Sequence, residues 1–270
     1  MATAPDRNGI GQEDLLELGV RRYLAGVTYD IPENAYARIL HPPFATRPPA
    51  SGGETASRMV ETDRTFAPLE EAARLCGDGV LVIDIESLGF VGRPVFLIGG
   101  LHVRAEEETG AGALRGRIIQ YLARDYSEEQ AMLRAFLSES AACPLWVSFN
   151  GRTFDVPSLA VRTAFHRLAL PVPGIHLDLL PVARRLWGQR LPDCRLQTLE
   201  HQICGRPRGE DIPGSRIPTA YHEYVRNGEP WEMIQILRHN AADLLTLWRV
   251  LQEACAELPS PSSHRGAEGA

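Results

Sequence analysis

Apolar positions between residues 79 and 257 recur with a strand period in some stretches and a helix period in others. Runs of β-branched and apolar residues, separated by short turn-forming stretches, predict three strands of an antiparallel meander, at 79–86, 94–103 and 116–123. Beyond them, helical spacing alternates with short apolar runs and predicts helix, strand, helix and strand, at about 127–140, 144–151, 156–168 and 174–180. A helix through residues 183–187 and a long helix over 231–256 follow.

This order of elements predicts an α/β fold with a mixed five-stranded sheet, three antiparallel strands and then two parallel ones, and helices on both faces. Residues 1–75 are predicted to form a helical arm and a linker. The helix is predicted because residues 12–25 have helix-like apolar spacing, and the linker because residues 41–53 are rich in proline and glycine. Residues 76–257 are expected to form the main domain. Residues 258–270 are expected to be a disordered tail.

Composition excludes several classes of protein. At 270 residues, 44% of them hydrophobic, the chain can bury a substantial core. No uncharged apolar run approaches the roughly 18 residues of a membrane span, and the acidic start is unlike a signal peptide, so we expect a cytoplasmic location and no membrane partner.

A net charge of −6 argues against a protein that coats nucleic acid, yet residues 184–226 carry eight arginines against five acids. This basic segment is either an ordinary solvated face or one wall of a nucleic-acid cleft.

Two acidic residues end the first predicted strand. Asp84 and Glu86 are two positions apart, so they project from the same face of the strand, after an apolar run at 80–83. Carboxylates this close repel each other unless a cation lies between them. The alternative is that both residues lie at an exposed strand end.

Further candidates follow later elements. Asp155 comes after the strand at 144–151, and functional sites in open α/β sheets assemble at the carboxyl ends of strands; the alternative is that Asp155 caps the next helix. His239 and Asp243 lie one turn apart on the long helix, beside its apolar stripe. A carboxylate there needs a partner or a metal ion, and a His239–Asp243 hydrogen bond is the alternative.

Together these acids indicate a metal-dependent site. Two acids on one strand, one after the next strand and one with a histidine on a late helix can converge in a ribonuclease H-like arrangement. Four converging carboxylates need divalent cations, and oxygen ligands favour Mg²⁺ or Mn²⁺ over zinc. Two such ions about 4 Å apart can activate a water and neutralise the leaving oxygen of a phosphodiester.

The chain resembles the DEDD 3′–5′ exonuclease superfamily on the ribonuclease H-like fold, and within it the YprB-like group. The resemblance covers about residues 76–256. Its acidic positions match the motifs DIE (Asp84 and Glu86), FNGRTFD (Asp155) and HNAAD (His239 and Asp243). The elements LQTLE, DIPG and IP-x-x-Y in residues 194–228 are more specific to the subgroup.

The resemblance implies a role for each residue. Asp84 would bridge two metal ions, Glu86 and Asp243 would complete the tighter site, and Asp155 would hold the second ion partly through water. His239 would orient or deprotonate the attacking water as general base. It precedes Asp243 by four residues, a spacing typical of superfamily members that use a tyrosine in this role.

Three residues are candidate substrate contacts. Asn150 either contacts the terminal nucleotide or shapes the Asn-Gly turn. Arg195 lies in the basic segment and is a candidate phosphate contact. Tyr221 either stacks on a base or packs in the core. Asp178, by contrast, is expected to cap a helix rather than to serve as an additional acid of the site.

The expected function is metal-dependent hydrolysis of phosphodiester bonds, as a 3′–5′ exonuclease on single-stranded DNA or RNA. No motif reports contacts to a 2′-hydroxyl group, so both polymers are candidates. The alternatives are a ribonuclease H-type endonuclease and a catalytically inactive module that binds nucleic acid or protein on the same fold.

Overall fold

The predicted strands between residues 79 and 180 all form. The computed structural model describes residues 20–23, 26–30, 69, 79–105, 114–205 and 211–257; the predicted linker at 41–53 and tail at 258–270 lie outside these ranges. Five strands correspond to the predicted ones: β3 (Val80–Ser87), β4 (Val95–Ala105), β5 (Leu114–Leu122), β6 (Leu145–Ser148) and β7 (Ile175–Asp178).

Strand pairing confirms the predicted mixed sheet. β3, β4 and β5 are antiparallel neighbours, whereas β6 runs parallel to β3 and β7 runs parallel to β6. The antiparallel strands follow one another along the chain, and the parallel ones are reached by helical crossovers.

Two short strands near the N-terminus extend this sheet. β1 (Val20–Tyr23) and β2 (Gly26–Asp30) pair antiparallel, and β2 pairs with β5, which gives the order β1-β2-β5-β4-β3-β6-β7. The helix predicted over 12–25 is therefore wrong at Val20–Tyr23. The sequence Val-Thr-Tyr in β2 has high strand propensity, and pairing with β5 outweighs the weak helical spacing.

Helices connect and cover the strands. They are α1 (Glu129–Ser140), α2 (Asp155–Phe165), α3 (Leu179–Trp187), α4 (Leu196–Gln202), α5 (Ile217–Asn227) and α6 (Trp231–Glu257). Four match predicted helices, and α4 and α5 lie in the motif-rich stretch 194–228. None of the helices described here is both long enough and apolar enough to cross a membrane.

The alternation of side chains along β3 assigns residues to two cores. Leu81, Ile83 and Ile85 pack in a cluster with residues of α1 and α5, whereas Val80 and Val82 pack in a second cluster with residues of α3, α4 and α6. Because side chains two positions apart share a face, the residues at 84 and 86 continue the face that α6 covers.

Candidate functional site

The two acids of β3 lie beyond the end of its parallel neighbour. Pairing of β3 with β6 ends at Val82 and Val147, and β3 continues past this point. Asp84 and Glu86 are therefore half-buried on the face whose earlier residues, Val80 and Val82, are fully covered. On the other side β3 remains paired with β4, which fixes the backbone that carries both carboxylates.

Asp155 reaches the same region from the first turn of α2. Phe154 is the N-cap residue and makes no side-chain cap bond, so Asp155 is the first helical residue rather than the cap. Its side chain is buried and accepts hydrogen bonds from its own N–H and from that of Ile85. Ile85 lies between Asp84 and Glu86, so this bond joins α2 to the β3 acids.

The loop before α2 is held by Asp178. Its carboxylate accepts hydrogen bonds from the backbone N–H of Asn150 at 2.8 Å, of Arg152 at 3.1 Å and of Leu180 at 3.0 Å. The last of these caps α3, as predicted. Asp178 thereby ties the end of β7 to the loop that presents Asp155.

Helix α6 contributes His239 and Asp243. The His239 Nε2 lies 3.3 Å from Oδ2 of Asp243 and 3.9 Å from Oε1 of Glu86. Its Nδ1 lies 2.8 Å and 2.9 Å from the two carboxylate oxygens of Asp211. The structure thus brings together the residues predicted from β3 and α6, and it adds Asp211.

Asn240 is a residue of the site that sequence reasoning missed. It is fully buried, and its Nδ2 donates hydrogen bonds to the backbone oxygen of Asp84 at 3.1 Å and to Oδ2 of Asp84 at 2.8 Å. Its Oδ1 accepts a 2.7 Å hydrogen bond from Nε2 of the buried Gln120, which also donates to the backbone oxygen of Leu237 at 2.8 Å. Asn240 therefore fixes Asp84 relative to α6.

The approach of Asn240 requires Gly99 on β4. Gly99 is the register partner of Asp84, and a Cβ atom there would lie 2.1 Å from Oδ1 of Asn240. The sequence carried two signals of this contact: an asparagine between His239 and Asp243, and a glycine pair within a predicted strand.

The carboxylates are held in an environment that disfavours their charge. Burial, followed by repulsion from Asp243, Glu86 and Asp155, raises the pKa of Asp84 well above its usual range. Burial and then Asp243, Asp155 and Asp211 likewise raise the pKa of Glu86. Burial raises the pKa of Asp155 to about 7, despite the two backbone hydrogen bonds that favour its ionised form. A cation at this position would remove the repulsion.

The donor set fits a hard divalent cation, because it consists of carboxylate oxygens. Within the part of the chain that the structure describes, no group of three His, Cys, Asp or Glu side chains is already arranged to hold a metal ion.

The predicted substrate contacts have three different environments. Asn150 has a φ of 60°, and its Oδ1 accepts a 2.7 Å hydrogen bond from Thr153 Oγ1, so it shapes the turn before α2. Arg195 precedes α4, and its side chain is 84% exposed, with Nε 3.8 Å from Asp193. Contacts of Asn150 and Arg195 with substrate stay predictions.

The prediction that Tyr221 stacks on a base is wrong. Its side chain is 1% exposed, its ring stacks on Phe96 with centroids 4.0 Å apart, and its hydroxyl donates a 2.9 Å hydrogen bond to the backbone oxygen of Ala123. Tyr221 lies on the inward face of α5 and therefore packs in the core, which was the second possibility that the sequence allowed.

Comparison with a family model agrees with this architecture. A family model described as RNase_H superfamily matches residues 81–255. The chain is similar to the uncharacterized protein YprB of Bacillus subtilis (strain 168), with 34% identity over 175 residues, or 63% of this chain and 40% of YprB. The chain thus spans less than half the length of this relative. A solved family B DNA polymerase from the archaeon Pyrobaculum calidifontis superimposes with a TM-score of 0.49 and 15% identity, over 66% of this chain and 27% of the polymerase.

Proposed function

This chain belongs to the RNase_H superfamily, and from that premise we propose that it is a metal-dependent nuclease that removes nucleotides from the 3′ end of single-stranded nucleic acid. The observation that carries the proposal is the cluster of Asp84, Glu86, Asp155 and Asp243, with His239 beside Glu86 and Asp243. These five residues come from β3, α2 and α6. After burial, the charges of Asp243 and Asp155 raise the pKa of both Asp84 and Glu86. Such a cluster is costly to keep in a fold unless a cation binds it.

The four carboxylates would hold two Mg²⁺ or Mn²⁺ ions. When bound, these ions would supply Lewis-acid chemistry, lowering the pKa of the attacking water and neutralising charge on the leaving oxygen. The protein's own contribution is position: Asp84 is held by Asn240, and Asp155 is held by backbone N–H groups. Because these contacts exist before substrate binds, little reorganisation is needed during the reaction.

His239 is proposed as the general base. Its Nε2 lies beside Glu86 and Asp243, on the side of the ring where a water held between these carboxylates would be. An imidazole in this position can accept a proton from that water as it attacks phosphorus.

The 3′–5′ direction of digestion and the preference for single strands are proposed from the family resemblance. The exposed guanidinium of Arg195, in the basic segment 184–226, is available to contact phosphate. An arginine is suited to this contact because its planar group can donate two parallel hydrogen bonds to phosphate oxygens.

The test is digestion of 5′-labelled linear and circular single-stranded DNA and RNA, with Mg²⁺, with Mn²⁺ and with EDTA. We expect a metal-dependent ladder that shortens from the 3′ end of linear substrate, and Asp84→Ala and Asp243→Ala should abolish it. Asp125→Ala is the matched control, because Asp125 is an exposed acid that bonds Ser127.

Each other outcome identifies a different function. Cleavage of the circular substrates would support a ribonuclease H-type endonuclease, since an exonuclease needs a free end. Activity at the wild-type rate in Asp84→Ala would refute the site assignment. Absence of cleavage despite calorimetrically measured metal binding would support an inactive binding module.

A further inference from the structure

His239 lies between two groups of carboxylates, one at each ring nitrogen. Glu86 and Asp243 face Nε2, at 3.9 Å and 3.3 Å. Asp211 faces Nδ1, and both of its oxygens are within 2.9 Å of that nitrogen. Asp211 lies in the segment before α5, and its side chain is 19% exposed.

We infer that Asp211 is a positioning residue: it holds His239 in the tautomer with the proton on Nδ1, so that Nε2 presents its lone pair to the carboxylate cluster. This inference rests on the proposed function, in which His239 is the base. An ionised carboxylate can only accept a hydrogen bond. Nδ1 lies 2.8 Å and 2.9 Å from the oxygens of Asp211, whereas Nε2 lies 3.3 Å from Asp243, so the one proton of the neutral ring is placed on Nδ1, which donates it to Asp211. In a neutral ring with the proton on Nδ1, Nε2 is the acceptor that a general base requires.

Asp211 also fixes the orientation of the ring. Two oxygens near one nitrogen hold the imidazole plane, as acids do for histidines in metal sites and in catalytic triads. The acid that α6 itself contributes, Asp243, lies on the Nε2 side of the ring.

The residues that follow Asp211 are anchored to the core and to α6. Ile212 is buried in the same core cluster as Ile217 of α5. The backbone oxygen of Pro213 accepts a 2.8 Å hydrogen bond from the N–H of Arg216, and Arg216 Nε donates at 2.8 Å to Glu232 in the first turn of α6. Asp211 is therefore tied to the helix that carries His239.

The first arm of the test observes the ring directly. Full-length protein labelled with ¹⁵N-histidine is examined by long-range ¹H–¹⁵N NMR correlation in EDTA, at a pH where the neutral ring dominates. The His239 signals are identified by their loss in His239→Gln. We expect the Nδ1–H pattern in wild type and in Asp125→Ala, and the Nε2–H pattern or a mixture in Asp211→Ala. Retention of the Nδ1–H pattern in Asp211→Ala would overturn the inference.

The second arm is a double-mutant cycle on nuclease activity. Loss of such an orienting acid should lower kcat about 10- to 100-fold with KM unchanged, and Asp211→Ala should have no further effect in the His239→Gln background. An equal loss in both backgrounds would overturn the inference, because Asp211 would then act independently of His239. If Asp211→Ala fails to fold, Asp211→Leu takes its place, since its side chain cannot accept from Nδ1 and should lose the Nδ1–H pattern and kcat in the same way. Asp211→Asn is the conservative rescue, because an amide oxygen can still accept from Nδ1 and should retain both the tautomer and most of kcat.

The two arms separate this inference from the proposed function. A chain that cleaves nothing, yet changes tautomer in Asp211→Ala, would refute the nuclease proposal and support the role of Asp211 as the partner of His239.

Discussion

The substitution Gly99→Ala tests whether the close packing of Asn240 against β4 contributes to the free energy of unfolding. The added Cβ would lie 2.1 Å from Oδ1, 2.8 Å from Cγ and 2.9 Å from Nδ2 of Asn240, so the amide must move. Asn240 is fully buried, and moving it breaks its hydrogen bonds to Asp84 and Gln120. The substitution therefore combines overpacking with the loss of buried polar contacts.

The expected destabilisation follows from these contributions. Overpacking costs about 1 to 3 kcal/mol, and leaving buried hydrogen-bonding groups unsatisfied costs about 1 to 3 kcal/mol more. Replacing a strand glycine by alanine returns about 0.5 to 1 kcal/mol. We expect a net loss of about 3 kcal/mol in the free energy of unfolding, or about 6 to 12 °C in Tm for a domain of this size.

The assay is urea unfolding followed by circular dichroism, with Gly100→Ala as the matched control. A Cβ at Gly100 would meet only the ends of two side chains, Leu81 Cδ1 at 3.1 Å and His102 Nε2 at 3.3 Å, which can give way. We expect that variant to lose less than about 1 kcal/mol. In the Asn240→Ala background the effect of Gly99→Ala should vanish. Equal losses in Gly99→Ala and Gly100→Ala, or an undiminished loss in that background, would refute the reasoning.

Three further predictions follow from the site and the core. Asp84→Asn should raise the free energy of unfolding in EDTA, because it removes one of the mutually repelling carboxylates; a lower free energy of unfolding, measured with urea, would contradict this. Burial raises the pKa of Asp155 from 3.8 to about 7, so the folded state holds this proton more tightly and loses stability as pH rises through that interval. The increase in the free energy of unfolding that Asp155→Asn produces should therefore grow between about pH 4 and 7 in EDTA and become smaller with Mg²⁺. A difference between variant and wild type that does not depend on pH would contradict the raised pKa of Asp155. Tyr221→Phe should cost about 1 kcal/mol through loss of its hydrogen bond to Ala123, while a changed KM for nucleic acid would contradict its place in the core.

Local pattern predicted the elements that carry the site. The apolar run of β3 ends in two acids that are two positions apart, and this spacing alone predicts that Asp84 and Glu86 share a face. The helical spacing of α6 likewise predicts that His239 and Asp243 lie one turn apart. These relations are internal to one element, so they can be recognised without knowing the tertiary structure.

Contacts between distant elements could not be predicted in this way. The bond from Asn240 to Asp84 joins residues 156 positions apart and depends on how closely α6 approaches β4. The pairing of Asp211 with His239 depends on the course of the segment before α5. The burial of Tyr221 was one of two outcomes that its spacing allowed, and the packing of α5 against the sheet decided between them.

The hairpin of β1 and β2 changes how the sheet can meet other molecules. Because β2 pairs with residues 119–122, these four of the nine residues of β5 do not form an open edge along which another chain could add a strand. The outermost strand on that side is β1, which has four residues, including Arg21 and Arg22. Short, charged edge strands are poor templates for intermolecular pairing. The opposite edge, β7, also has four residues. The N-terminal hairpin thereby replaces part of a long edge strand by a short one, which reduces the length of edge open to intermolecular pairing on that side of the sheet.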